Sequence, residues 1–400
     1  MTRLLQNISG DRTIWAIVAL LAIFSFLPVY SASTNLVGVV GKGTTLGYLL
    51  KHAMLLILGF VIIYATHKIP YRYFSGLSVL LIPVVIVLLI YTLYQGKTIS
   101  GVNASRWISI PFVEIGFQTS TLAGVIIMMY TARYLAKNKE KIILFKESLM
   151  QLWLPVGLVL ILILPANFST TAIIFTMVII MSFLGGYPLK YIGAIIGVGI
   201  IALAIFILTV KAFPDTFKNS RIDTWMSRIE NFSSQDSDAN YQAEKAKLAI
   251  ASGEIQGKGP GKSVQKNFLP QSTSDFIFAI IVEEFGLIGG ASLLLLYLGL
   301  LFRIVIVATK SASIFGTLLV LGVGIPIIFQ AFINMAVAVG LFPVTGQPLP
   351  LISTGGTSIW MTCFAIGIIL SVSAAREIED AGDRKTNDEN PLDILHEAIG

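Results

Sequence analysis

The sequence predicts an all-α polytopic membrane protein with about ten transmembrane helices and one large extracytoplasmic loop between the seventh and eighth. Three observations predict it. Of 400 residues, 55% are hydrophobic and only 12% charged, where a soluble domain carries about 25% charged residues. Apolar runs of about 20 residues recur, each long enough to cross a hydrocarbon core of about 30 Å as a helix. Lysine and arginine are crowded into alternate connections and sparse in the others.

The spans fall in order at roughly 14–33, 49–66, 74–94, 118–136, 150–165, 169–186, 190–212, 275–302, 313–339 and 355–375. The first, opening at Ile14, is long for a signal-peptide core and lacks a small-residue cleavage pattern, so it reads as a retained span. The fifth and sixth are short and meet at Pro165, Ala166 and Asn167, which would also suit one broken hairpin. With the N-terminus inside, fifteen Lys and Arg fall on cytoplasmic segments, against Lys42, Lys51, Lys97 and Arg106 on the short outer loops. That asymmetry sets the expected orientation. Both termini are then cytoplasmic, and the loop at about 211–274 faces outward. Residues 1–380 read as a single membrane domain and 381–400 as a charged, disordered cytoplasmic tail.

The formal charge of +6 therefore serves topology first and gives no reason to expect a nucleic-acid partner. The one cysteine, Cys363, lies in an apolar run, which excludes a disulfide framework. His52, His67 and His396 are scattered and none lies in the long loop, so neither a zinc site nor a histidine base is expected there. No organic cofactor is expected.

Within the loop, Arg221–Phe232 has a weak helical period and Ser233–Asn240 reads as a polar turn. Tyr241–Ala251 reads as a short amphipathic helix, with Leu248 and Ile250 able to touch the membrane surface. Gly253–Gly261 supplies backbone freedom, and Lys258, Lys262 and Lys266 recur four residues apart. Pro270–Ser274 make a turn before Asp275, which opens the eighth apolar run. A carboxylate at the mouth of a hydrophobic helix beside a basic loop suggests an anionic substrate handled at a membrane surface.

The eighth run continues to Phe302, roughly 42 Å at 1.5 Å per residue, so its first turns should rise out of the bilayer and leave Asp275 near the headgroups. Asp275 could equally serve as a helix cap, with Ser272, Thr273 and Ser274 as competitors. Glu283 and Glu284 lie about 12 Å further down the helix, turned about 80° and 180° from Asp275. Ionisable groups at that depth suit a cavity, or a protonated or salt-bridged structural role. Thr345–Trp360 contains Pro348, Pro350, Gly355 and Gly356 and cannot be a regular helix. Irregular backbone at the bilayer must be buried in protein or line a cavity.

Taken together, these stretches resemble the SEDS family of shape, elongation, division and sporulation proteins, polytopic glycosyltransferases that polymerise lipid II into peptidoglycan. The resemblance covers about residues 12–376. Asn103–Ile110, Tyr241–Gly286 and Gly346–Ser358 resemble the family's signature segments, and KSVQKNFLP resembles the division branch, FtsW, more than the elongation branch, RodA. The aspartate of the family's T-D-F-I-F motif matches Asp275, with Ser274 in place of the threonine.

The resemblance implies glycosyl transfer with Asp275 as catalytic base. Arg106, Lys258, Lys262 and Lys266 are then the cations available to the leaving pyrophosphate, although the lysines could instead form a basic surface facing anionic headgroups. Ser353, Gly355 and Gly356 are the expected substrate-binding loop, and Glu283 and Glu284 the cavity residues. Mg²⁺ or Mn²⁺ could assist. The implied partners are lipid II, a class B penicillin-binding transpeptidase and other divisome membrane proteins, at the septal cytoplasmic membrane. A lipid II flippase, a non-catalytic division scaffold and an elongation-branch polymerase are the rival readings. Two departures remove charge. The family's Q-P-S-E-x-x-K becomes Gln118, Thr119, Ser120 and Thr121 with Gly124, and its P-D-L-G-T becomes Ala166 to Thr170 with Asn167 for the aspartate. Losing the glutamate and the lysine together avoids stranding one buried charge.

Overall fold

The computed structural model describes residues 9–40, 44–95, 107–109, 116–212, 238–269 and 271–388. Its helices are α1 (Arg12–Val40), α2 (Thr45–His67), α3 (Arg72–Gln95), α4 (Thr119–Lys137), α5 (Phe145–Ile163), α6 (Phe168–Leu184), α7 (Leu189–Ala212), α8 (Asp238–Gly253), α9 (Ile277–Thr309), α10 (Ile314–Ala338) and α11 (Thr357–Asp388). Each expected span falls on one of these helices, and the chain is a multi-pass membrane protein. By length and apolarity, eight of the described helices can cross a membrane, against ten expected. The count leaves out the 17-residue α6 and α4. Helix α4 is polar at both ends, with Thr119, Ser120 and Thr121 at one and Arg133 and Lys137 at the other. It is packed among α3, α6 and α10 and does not have to satisfy lipid on every face.

The helix starts follow local chemistry. Thr44 Oγ1 accepts from Gly47 N at 3.0 Å, Asn167 Oδ1 from Thr170 N at 3.2 Å, and Ser313 Oγ from Gly316 N at 3.0 Å, each satisfying an orphan donor. Asp11 Oδ1 accepts from Thr13 N at 2.9 Å at the start of α1, and the same carboxylate pairs with Arg303 of α9. Pro28, Pro83 and Pro326 sit inside helices, as membrane helices tolerate where neighbours satisfy the freed backbone groups. In the core, α2 packs on α11, α9 on α10 and α8 on α9. The thiol of Cys363 rests on Gly59, where a Cβ would come within 2.7 Å of the sulfur, so a small residue sets the α2–α11 approach.

Four features differ from the sequence reading. A short antiparallel ribbon, β1 (Trp107–Ser109) with β2 (Gly116–Gln118), interrupts the all-α pattern. Helix α11 runs on to Asp388, past the expected start of the tail, because its charged end continues the apolar helix. Helix α8 begins at Asp238, inside the expected polar turn. Helix α9 begins at Ile277 and is broken at Gly286, so it is not one 42 Å rod rising from Asp275. The expected helix at Arg221–Phe232 and the side chain of Arg106 lie outside the described residues.

Candidate active site

Gly286 has φ 69° and ψ −169°, a backbone region open essentially to glycine, and it splits α9. A break in an apolar helix bares carbonyls before it and amides after it, which must find partners. The loop after α8 supplies them. Lys258 N donates to Glu283 O at 3.0 Å and Gly259 N to Glu284 O at 2.9 Å, while Leu287 N donates to Glu254 O at 2.9 Å. The contact is backbone on backbone: a Cβ on Gly257 would lie 2.3 Å from Glu284 O, and one on Gly286 would lie 2.2 Å from Ile255 O.

The carboxylates beside the break hold the same loop. Buried Glu283 accepts from Lys258 Nζ at 2.7 Å, Val264 N at 3.1 Å, Gln265 N at 3.2 Å and the Ser263 hydroxyl. Buried Glu284 accepts from the Ser31 hydroxyl of α1 and from Ser263 N at 3.3 Å. Lys266 is buried too, with Nζ 2.8 Å from Gly261 O and 3.1 Å from Ser31 Oγ. The cavity assignment of Glu283 and Glu284 is therefore corrected: both join the loop after α8 to α9, and Glu284 reaches α1. Lys258 and Lys266 are engaged by these internal partners, and of the three loop lysines only Lys262 is exposed.

Asp275 lies in the turn just before α9. The helix N-cap position is held by Phe276, so Asp275 lies one residue outside it. Three successive carbonyls of the turn are held from outside it. Thr273 O accepts from Thr354 N and Oγ1, both at 3.0 Å, Ser274 O from Ser353 Oγ at 2.6 Å, and Asp275 O from Asn334 Nδ2 at 2.8 Å. Asn334 Nδ2 also donates to Gln347 O at 2.8 Å, and Gln330 Nε2 to Pro348 O at 2.8 Å. The irregular loop from Gly346 is thereby pinned between α10 and the Asp275 turn. Asp275 is partly exposed, and its Oδ2 lies 3.4 Å from where a Cβ on Gly346 would sit.

Ser353 was expected to touch substrate. Instead it is 1% exposed, donating to Ser274 O and accepting from Leu349 N at 2.8 Å, so its hydroxyl clamps the loop to the turn. Gly355 and Gly356 remain partly exposed at the start of α11. There Thr357 Oγ1 accepts from Gln118 N at 3.0 Å, which holds the β-ribbon alongside.

A cavity of about 100 Å³ lies among α4, α6, α10 and α11, with Thr121, Gly124, Thr170, Gln330, Gln347 and Thr362 in its lining. Gln347 Nε2 donates to Thr170 Oγ1 at 3.0 Å, so the residue after Gly346 forms part of the wall. Among the described residues no ionisable side chain lines the cavity. The uncharged residues Thr121 and Gly124 stand in that wall, and Asn167 caps α6 without adding charge. The amides Asn334, Gln330 and Gln347 went unnoticed in the sequence. Their one signal was an isolated amide within or next to an apolar run. Among the described residues no three His, Cys, Asp or Glu side chains gather to hold a metal. A divalent cation here would need oxygens from a bound ligand as well as Asp275.

Residues 11–378 match the profile of the family described as cell cycle protein, FtsW/RodA/SpoVE. A relative in Hydrogenovibrio crunogenus is 32% identical over 364 residues, 90% of each chain. One in Nitrosomonas europaea is 32% identical over 382 residues, 93% of this chain and 95% of the relative. Both bear the name "Probable peptidoglycan glycosyltransferase FtsW". Among solved structures, a chain described under a peptidoglycan synthase complex superposes with a TM-score of 0.71 at 24% identity, over 92% of this chain and 98% of that one. The rod shape determining protein RodA of Thermus thermophilus does so with a TM-score of 0.65 at 24% identity, over 92% and 97%. At that identity the two structures share the fold.

Proposed function

Because the chain belongs to the FtsW, RodA and SpoVE family of cell cycle proteins, we propose that it is a peptidoglycan glycosyltransferase. It polymerises lipid II into glycan strands at the outer face of the cytoplasmic membrane, for septal wall synthesis. The observation that carries this reading is the Asp275 turn. Asp275 is partly exposed and lies one residue before the N-cap of α9, and its backbone is held by α10 and by the Gly346–Gly356 loop.

The 4-hydroxyl of the terminal N-acetylglucosamine of one lipid-linked disaccharide attacks C1 of N-acetylmuramic acid in another. Asp275 takes the hydroxyl proton as the new C–O bond forms, since a sugar hydroxyl is a weak nucleophile near neutral pH. The bond from C1 to the phosphate oxygen breaks, and undecaprenyl pyrophosphate leaves with the electron pair. Lys262, exposed in the loop, and Arg106 are the cations proposed to meet its charge. A bound Mg²⁺ or Mn²⁺ would supply further charge neutralisation. Gly346 has no side chain to stand beside the carboxylate, where a Cβ would lie 3.4 Å from Asp275 Oδ2.

The N- and C-termini are proposed to be cytoplasmic, and a class B penicillin-binding transpeptidase is the proposed membrane partner. The test is polymerisation of purified lipid II by the purified protein, alone and with that transpeptidase, for the wild type and Asp275→Asn. Full activity of the variant would restore the flippase and scaffold readings. Depletion that rounds cells without blocking division would assign the elongation role instead.

A further inference from the structure

We propose that Asn334 is a positioning residue for the transfer, fixing the Asp275 turn against the Gly346 loop through one amide nitrogen; this rests on the reading of Asp275 as the base. Asn334 lies on α10, 59 residues beyond Asp275, and is 1% exposed. Its two amide hydrogens go to two carbonyls from different segments, Asp275 O and Gln347 O, each at 2.8 Å. Gln347 directly follows Gly346, whose backbone faces the Asp275 carboxylate. The amide therefore sets the separation of the two walls between which the reacting hydroxyl must sit.

The orientation of the amide follows from the same contacts, because a flipped side chain would turn its oxygen against two carbonyl oxygens. In the observed orientation Oδ1 is buried with no hydrogen-bond partner among the described residues. Burying an unpaired acceptor is unfavourable. Leucine has nearly the same shape and would fill the space in a largely apolar helix without that cost. What leucine cannot do is hold the two carbonyls. Displacing a reacting group by about 1 Å can cost on the order of 10²-fold in rate, so a residue that fixes the backbone of a base can govern turnover without touching substrate.

The test is steady-state polymerisation of lipid II by the full-length protein in nanodiscs, with thermal unfolding of each preparation. Asn334→Leu should lower kcat at least tenfold, with KM for lipid II within about twofold of the wild type, in protein that still unfolds cooperatively but at a somewhat lower temperature, because two carbonyls lose their donor. Gln330→Leu is the comparison, since it unties the same loop from the same helix at Pro348 without touching the Asp275 turn. Its loss of kcat should be several-fold smaller. If Asn334→Leu does not fold, Asn334→Ser, which keeps one donor, should show an intermediate kcat at unchanged KM. Wild-type kcat in either Asn334 variant, a rise in KM alone, or equal losses in the Asn334 and Gln330 variants would overturn the proposal. An inactive Asp275→Asn beside a fully active Asn334→Leu would remove only the positioning role. An active Asp275→Asn would remove the underlying reading of the base.

Discussion

Lys258 Nζ lies 2.7 Å from Glu283 Oε1, an ion pair that joins the loop after α8 to the half-helix that follows Asp275. The glutamate is fully buried while the lysine side chain is 31% exposed, so the pair closes the loop over the break at Gly286. Removing the lysine would leave a buried carboxylate with only neutral donors. Lys258→Met should therefore lower unfolding stability by roughly 1.5–3 kcal/mol, the worth of a hydrogen bond to a charged group. Adding Glu283→Gln should recover part of the loss. Denaturant or thermal unfolding of the two variants in the same detergent measures this, and equal stability of Lys258→Met and the wild type would rule it out.

Asp275→Asn should keep the fold and lose polymerisation by on the order of 10²-fold or more. Asp275 is not the N-cap residue of α9, and the three clamped carbonyls of the turn are backbone groups that the substitution leaves in place. A glycan-chain assay on matched folded preparations checks the rate, and circular dichroism checks the fold.

Gly346 has φ +69°, and a Cβ there would stand 3.4 Å from Asp275 Oδ2. Gly346→Ala should cost about 1–2 kcal/mol of stability from the left-handed backbone alone. The added methyl narrows the space beside the carboxylate, so polymerisation should fall by more than the folded fraction does. Activity normalised to folded protein decides it.

Gly286→Ala should be more severe. Its Cβ would sit 2.2 Å from Ile255 O and would require a backbone conformation reserved for glycine. The loop must then leave the break, exposing the backbone groups that it satisfies. Limited proteolysis within residues 253–269 should accelerate sharply relative to the wild type, and unchanged cleavage would contradict the role given to the break.

Much was legible in the sequence. Apolar runs marked where helices form, because crossing lipid requires satisfied backbone and apolar surface over a set length. Composition alone excluded a disulfide framework. The helix in Tyr241–Ala251, the irregular backbone after Thr345 and the place of Asp275 before an apolar helix were all readable from local residue types.

Only the tertiary structure decided what the buried polar groups do. Glu283 and Glu284 read as cavity residues because depth was all that spacing could report; their partners Lys258, Ser263 and Ser31 come from other segments. The break at Gly286 is filled by the loop from Glu254 to Gly259, a contact that no local pattern reports. Asn334, 59 residues from Asp275, gave no local sign of the carbonyl it holds. Periodicity and composition report the surroundings of a single segment. Hydrogen bonds between distant backbone groups depend on which helices pack together, and that is set by the whole chain.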